Sequence, residues 1–176
     1  MRRLRLFFAL WPPDGVRDAL FAAAEPLRAA CRGRPVAKRN LHLTVAFLGG
    51  MAEERLVDVQ TAAAAVRAPR FELRFDGHGW FQRPRVAWLG CRRVPATARV
   101  LVGQLNAALE PLGFRPDPRP FQPHLTVLRN CRACDFDGAI EPVAWPVDSF
   151  MLLRSETQPA GSRYEPLAQW PLHDDP

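Results

Sequence analysis

The sequence predicts an α+β fold in which two pseudo-symmetric lobes flank a central cleft. Three observations predict it. The chain has 176 residues, a length suited to one domain with a sizeable buried core, so residues 1–176 are expected to form a single bilobal unit. Strand-like segments bounded by Gly and Pro alternate with amphipathic helices along the chain. The motif His-Leu-Thr-Val at residues 42–45 returns at residues 124–127, 82 positions later, as a duplicated half would return it.

Residues 6–11 form an apolar run that ends at Pro12-Pro13-Asp14. The run is too short for an export signal, although Arg2, Arg3 and Arg5 imitate the basic head of one, and it reads as a first strand, expected over 4–10. Behind Asp14, a candidate N-cap, Val16, Leu20, Ala23, Leu27 and Cys31 recur at three- and four-residue spacing, predicting a helix kinked at Pro26. A second helix is expected over 53–68, with Leu56, Val59, Ala63 and Val66 inward and Glu53 and Glu54 at its positive end. A third is expected over 96–112, with Leu101, Leu105, Ala108 and Leu112 on one stripe and Gly113 as its stop. Further strands are expected over 41–48, 71–75, 86–90, 124–128, 149–154 and 164–170. Prolines sit at element edges and in loops such as 116–123, where they punctuate the fold.

Hydrophobic residues make up 48% and charged residues 24% of the chain, which excludes a disordered or fibrous protein. The net charge is +6, and Lys38 is the only lysine among 24 basic residues. Arginine offers a planar fork matched to phosphate, so an anionic, phosphate-bearing partner is expected. A GC-rich genome gives the same bias. Four cysteines are too few for a disulfide framework, and reduced thiols in a cytoplasm are expected. Cys131 and Cys134 form a lone CxxC, while Cys31 and Cys91 stand apart in sequence, so no zinc site is expected. No apolar stretch approaches the ~20 residues that cross a bilayer, and no membrane partner is expected.

The repeat carries the chemistry. Side chains of a strand alternate faces, so His42 and Thr44 share one face while Leu43 and Val45 take the other, and His124 and Thr126 repeat the arrangement. The apolar pair anchors each strand in the core. Two such strands side by side bring two imidazoles and two hydroxyls into one cleft. Imidazole titrates near pH 6.5, so one ring can accept a proton while the other donates one. The threonine hydroxyls suit hydrogen bonding to non-bridging phosphate oxygens. A cyclic phosphodiester opened in line needs that set: a base on the entering water and an acid on the departing oxygen. No carboxylate cluster flanks either motif, and neither a metal nor another cofactor is expected. A single histidine on a strand is usually packing or surface, and it is the duplication that argues otherwise. His78 has no such support and reads as a loop residue. His173, beside Asp174, reads as part of a fraying tail and not as a metal ligand.

The stretches at residues 40–49 (NLHLTVAFLG) and 121–129 (FQPHLTVLR) resemble the paired signature of the 2H phosphoesterases, and within them the bacterial and archaeal RNA 2′,3′-cyclic phosphodiesterases, also called 2′-5′ RNA ligases. Residues 5–10, 85–90 and 163–167 resemble that family's opening, middle and closing strands. The resemblance implies two antiparallel-rich sheets flanking a cleft, with helices outside. It implies hydrolysis of a terminal 2′,3′-cyclic phosphate to a 2′-phosphate, His42 as proton donor and His124 as acceptor, and Arg129 as a phosphate-binding residue beside Thr44 and Thr126. The partner implied is RNA or a nucleotide ending in that cyclic phosphate, and a monomer is expected. Strand parity opposes Arg129, which lies an odd number of positions beyond His124. A bulge or a strand end has to intervene for it to reach the phosphate.

Rival readings are a 2H enzyme acting on another 2′-5′ or cyclic nucleotide, and a non-catalytic RNA-binding module using Arg32, Arg34, Arg83 and Arg85 with Trp80, Phe81 and Phe121. Core packing is the stronger reading for Trp80 and Trp88. A zinc-binding regulator through Cys131 and Cys134 is a third.

Overall fold

The fold follows from a computed structural model that describes residues 2–159 and 161–174. In chain order its elements are β1 (Arg3–Leu10), α1 (Asp14–Ala23), α2 (Glu25–Ala30), β2 (Cys31–Pro35), β3 (Leu43–Ala52), α3 (Leu56–Ala64), β4 (Phe71–Phe75), β5 (Gly77–Phe81), β6 (Val86–Gly90), α4 (Ala96–Leu109), β7 (His124–Cys134), β8 (Val143–Val147), β9 (Ser149–Gln158) and β10 (Gly161–Pro171). Eight strands form one antiparallel sheet in the order β10-β9-β1-β3-β7-β6-β5, with β2 also on β7, while β4 and β8 form a separate antiparallel ribbon.

The duplicated strands β3 and β7 are neighbours at the centre of the large sheet, joined by the single pair Leu43 and Leu125. Both leucines are fully buried, and truncating either to Ala would cost about 2–5 kcal/mol. To one side of this seam lie β1, β9 and β10; to the other lie β6 and β5, while β2 pairs the far end of β7 along the edge that meets β3. The two expected sheets are thus the halves of one sheet, meeting at the repeated motif. Its core face packs Phe8, Leu43 and Leu125 against Leu20, Leu27, Val59, Leu101 and Leu105 of the helices. The opposite face carries a smaller cluster of Phe7, Ala9 and Leu153, with Trp11 and Tyr164 against it.

Several elements differ from the sequence reading. The first helix breaks at Ala24, because Pro26 lies in the first turn of α2, where its missing N–H and fixed φ are tolerated. Asp14 is the first helical residue and not the cap; it pairs with Arg17 at 2.9 Å. The second helix opens with a 3₁₀ turn and ends at Ala64. Strands β2, β5 and β8 were not expected, since CRGRP, GHGWF and VAWPV lack a clean alternating pattern.

His78 lies in β5 and not in a loop, with its Nε2 2.8 Å from the carbonyl of Gly138. His173 is not frayed: its amide donates to Ala68 at 3.0 Å and its carbonyl accepts from Arg70 at 2.7 Å. The expectation of reduced thiols fails at one pair. Cys31 of β2 lies opposite Cys134 of β7 in the strand register, and the two form a disulfide. Cys91 and Cys131 are free and buried. Cys134 is therefore not available to pair with Cys131 on a metal, and the Cys131 thiol donates instead to the carbonyl of Ala133.

Candidate active site

His42 immediately precedes β3 and His124 opens β7, so the seam pair Leu43 and Leu125 sets the two imidazoles on adjacent strands. Each ring is held in the same way. The Nδ1 of His42 lies 2.7 Å from the carbonyl of Asn40, and that of His124 lies 2.9 Å from the carbonyl of Gln122. A carbonyl can only accept, so the neutral rings carry their proton on Nδ1 and present the Nε2 lone pair. The carbonyl-bearing residues are anchored in turn. Asn40 donates its side-chain amide to Ser162 at 2.8 Å, and Gln122 donates to Cys91 at 3.1 Å.

The two settings differ in their walls. Trp11 stacks on His42 with centroids 5.7 Å apart, Phe7 lies at 5.1 Å, and Tyr164 meets the ring edge-on at 4.9 Å. Burial among these rings pushes the His42 pKa down to about 4; the Asn40 carbonyl opposes this, while the nearby positive charges of Arg129 and His124 add to it. On the other side, Phe81 and Trp88 meet His124 edge-on at 5.5 and 6.3 Å. Trp88 fits there because two glycines make room. A Cβ on Gly79 would lie 2.2 Å from the indole, and one on Gly90 would lie 2.7 Å from it.

Thr44 and Thr126 are half-buried and line the same cleft as both histidines. Arg129 lines it too, and the register shows how. Trp88 pairs with Thr126 but Ala87 pairs with Leu128, so Val127 is the extra residue of a bulge in β7. Val127 and Leu128 are both buried in succession, and the parity beyond them is reversed. Arg129 thereby turns to the face of His124 and Thr126. All five residues singled out in the sequence thus border one cleft of about 1530 Å³.

The sequence reading did not find the aromatic walls of His42. Phe7, Trp11 and Tyr164 come from two ends of the chain, and nothing local ties them to the motif. Phe81, Arg83 and Phe121, considered there as RNA contacts, line the cleft, whereas Trp80 packs on the core and donates to the carbonyl of Cys131 at 3.0 Å. Arg5 and Phe47 also line the cleft and were not anticipated. Among the described residues no group of three or more His, Cys, Asp or Glu side chains could hold a metal ion. No helix among them is long and apolar enough to cross a membrane.

The chain is 36% identical over 175 residues to the RNA 2′,3′-cyclic phosphodiesterase of Escherichia coli K12, covering 96% of each protein. Among solved structures, one described as a phosphoesterase superposes with a TM-score of 0.89 at 34% identity, over 98% of this chain and 100% of that one. E. coli LigT complexed with 3′-AMP superposes with a TM-score of 0.84 at 34% identity, over 97% of this chain and 99% of that one. The family model described as LigT like Phosphoesterase matches twice, over residues 10–88 and 89–164, one match for each copy of the motif, and the chain belongs to that family.

Proposed function

We propose that this protein is an enzyme that hydrolyses the 2′,3′-cyclic phosphate at an RNA end to a 2′-phosphate, by acid–base catalysis between His42 and His124. The observation that carries the reading is the matched setting of two imidazoles: each Nδ1 is tied to a carbonyl two residues upstream, which leaves each Nε2 free, and both residues line one cleft. The family's curated members named RNA 2′,3′-cyclic phosphodiesterase and the 3′-AMP complex of E. coli LigT support the substrate class.

In this mechanism the cyclic phosphate sits between the rings, with Thr44, Thr126 and Arg129 on its non-bridging oxygens. His124 accepts a proton from water through Nε2 as the water attacks phosphorus. His42 gives a proton from Nε2 to the departing 3′ oxygen, leaving a 2′-phosphate and a free 3′ hydroxyl. Because its surroundings hold His42 neutral in the free protein, it takes up that proton as the anion arrives, since a negative charge beside the ring favours its charged form. With a 5′ hydroxyl in place of water the same step opens the cyclic phosphate to a 2′-5′ phosphodiester and a free 3′ hydroxyl, and its reverse, attack of that 3′ hydroxyl with departure of the 5′ oxygen, exchanges the roles of the two histidines. Every group used lies within one chain, which supports action as a monomer, and an RNA substrate fits a cytoplasmic enzyme.

The test is incubation with adenosine 2′,3′-cyclic phosphate in EDTA, with separation of 2′-AMP from 3′-AMP. The expected product is 2′-AMP, with no loss of rate on chelation. An inert wild-type protein, 3′-AMP as product, or activity restored only by Mg²⁺ or Mn²⁺ would overturn the proposal.

A further inference from the structure

Phe47 is a large aromatic side chain left 57% exposed, and it borders the catalytic cleft. Its orientation is built by the backbone. Ala9 pairs with Thr44 and Phe8 with Ala46, so Val45 is the extra residue of a bulge in β3, and Phe47 then lies directly opposite Phe7. Residues opposite each other in a sheet share a face, and Phe7 belongs to the cluster on the cleft side. The bulge thus moves Phe47 onto the face of Thr44. The guanidinium of Arg5 lies over its ring, 5.0 Å from the centroid.

The equivalent place in the other half is Arg129. Bulges at Val45 and Val127 lie at matching positions of the repeat, and each turns the residue five positions beyond its histidine toward the cleft. A symmetric scaffold therefore offers a guanidinium from one half and an aromatic ring with its own guanidinium from the other. The substrate has the same asymmetry. A cyclic phosphate carries one anionic group, and its single nucleoside lies on one side of phosphorus. With His42 protonating the departing 3′ oxygen, the ribose lies toward β3, opposite the entering water.

We infer that Phe47 is the platform on which the base of the terminal nucleoside stacks, with Arg5 supporting the ring from its other face. The inference rests on the hydrolase reading proposed above. Stacking on an aromatic face is tolerant of base identity, so the subsite would recognise a nucleoside cyclic phosphate as a class and not one base.

The experiment compares two substrates, adenosine 2′,3′-cyclic phosphate and the base-free 1-O-methylribose 2,3-cyclic phosphate, across wild type, Phe47→Ala and Phe47→Trp. Phe47→Ala is expected to lower kcat/KM for the nucleotide by about 5- to 150-fold, the range for loss of one base stack, while leaving the base-free rate unchanged. Phe47→Trp is expected to restore the nucleotide rate. Equal losses on both substrates would make Phe47 a structural residue and overturn the inference, as would an unchanged nucleotide rate or an effect confined to longer RNA. A wild-type protein inert on both substrates would overturn the hydrolase reading itself and this inference with it, so the two failures are distinguishable.

Discussion

Trp11 lies flat against His42, with the two ring planes 9° from parallel. With Phe7 and Tyr164 it withdraws much of the imidazole from water, and this burial pushes the His42 pKa down to about 4 from its ordinary 6.5. The unfolded chain takes up a proton between pH 6.5 and 4 that the folded chain does not. Stability is therefore full above pH 6.5 and falls as the pH drops through that window, by up to about 3 kcal/mol. Thermal unfolding of wild type and His42→Gln between pH 7 and 4 checks this. The wild type is expected to lose Tm relative to the variant on acidification, and parallel curves would show that His42 titrates normally.

Arg129 faces the cleft only because Val127 is bulged out of register. Arg129→Lys keeps the charge but loses the fork, and kcat/KM is expected to fall about 10- to 100-fold, the scale of a charge-assisted pair. A control arginine must lie away from the cleft, which excludes Arg55, whose guanidinium donates to the carbonyl of Leu112 and lies over the cleft residue Phe114. Arg70, exposed and ion-paired with Asp174, serves instead, and Arg70→Lys should retain the wild-type rate. Equal rates for the two variants would place Arg129 outside the phosphate site.

Much of this was legible in the sequence, and the failures have physical causes. The repeat named both histidines and both threonines, because period-two alternation fixes which residues share a face. The helix around residues 96–112 ended at Gly113 as expected, with the left-handed φ of +80° that a glycine permits. Alternation fails at a bulge, so Arg129 was left in dispute and Phe47 went unnoticed. Strand β5 escapes the pattern because glycine stands at position 79 to serve the bulk of Trp88 on the neighbouring strand. The Cys31–Cys134 bond joins residues 103 positions apart, a pairing set by the register of β2 on β7 that spacing does not reveal.

That packing gives a prediction at Gly79. Gly79→Ala places a methyl group inside the indole of Trp88, and the ring must leave its present position beside His124. Stability is expected to fall by about 1–3 kcal/mol, with kcat falling too. Gly15→Ala, on α1 with nothing within 4 Å of the added carbon, should be neutral or stabilising by up to about 1 kcal/mol. Chemical denaturation with parallel turnover assays reads both, and an unperturbed Gly79→Ala would show that Trp88 does not need that space.

The disulfide also makes a quantitative claim. Closing so long a loop restricts the unfolded chain, so its loss is expected to cost about 2–4 kcal/mol. Denaturant titration of the oxidised protein, the reduced protein and Cys134→Ser should show equal losses for the last two. Alkylation after unfolding without reductant should modify only Cys91 and Cys131. Four reactive thiols in the untreated protein would contradict the pairing.

The central claim is that His42 and His124 act as acid and base on opposite sides of one phosphorus. General acid–base catalysis is worth about 10²–10⁴-fold, so His42→Ala and His124→Ala should each lose that much kcat on adenosine 2′,3′-cyclic phosphate while binding it nearly as well. The most direct measurement repeats the assay on the analogue with sulfur in place of the 3′ bridging oxygen, whose thiolate departs without a proton. His42→Ala is expected to recover to within a few-fold of wild type on this substrate, and His124→Ala to stay slow. Recovery of His124→Ala instead, or of neither variant, would contradict the assignment of acid and base.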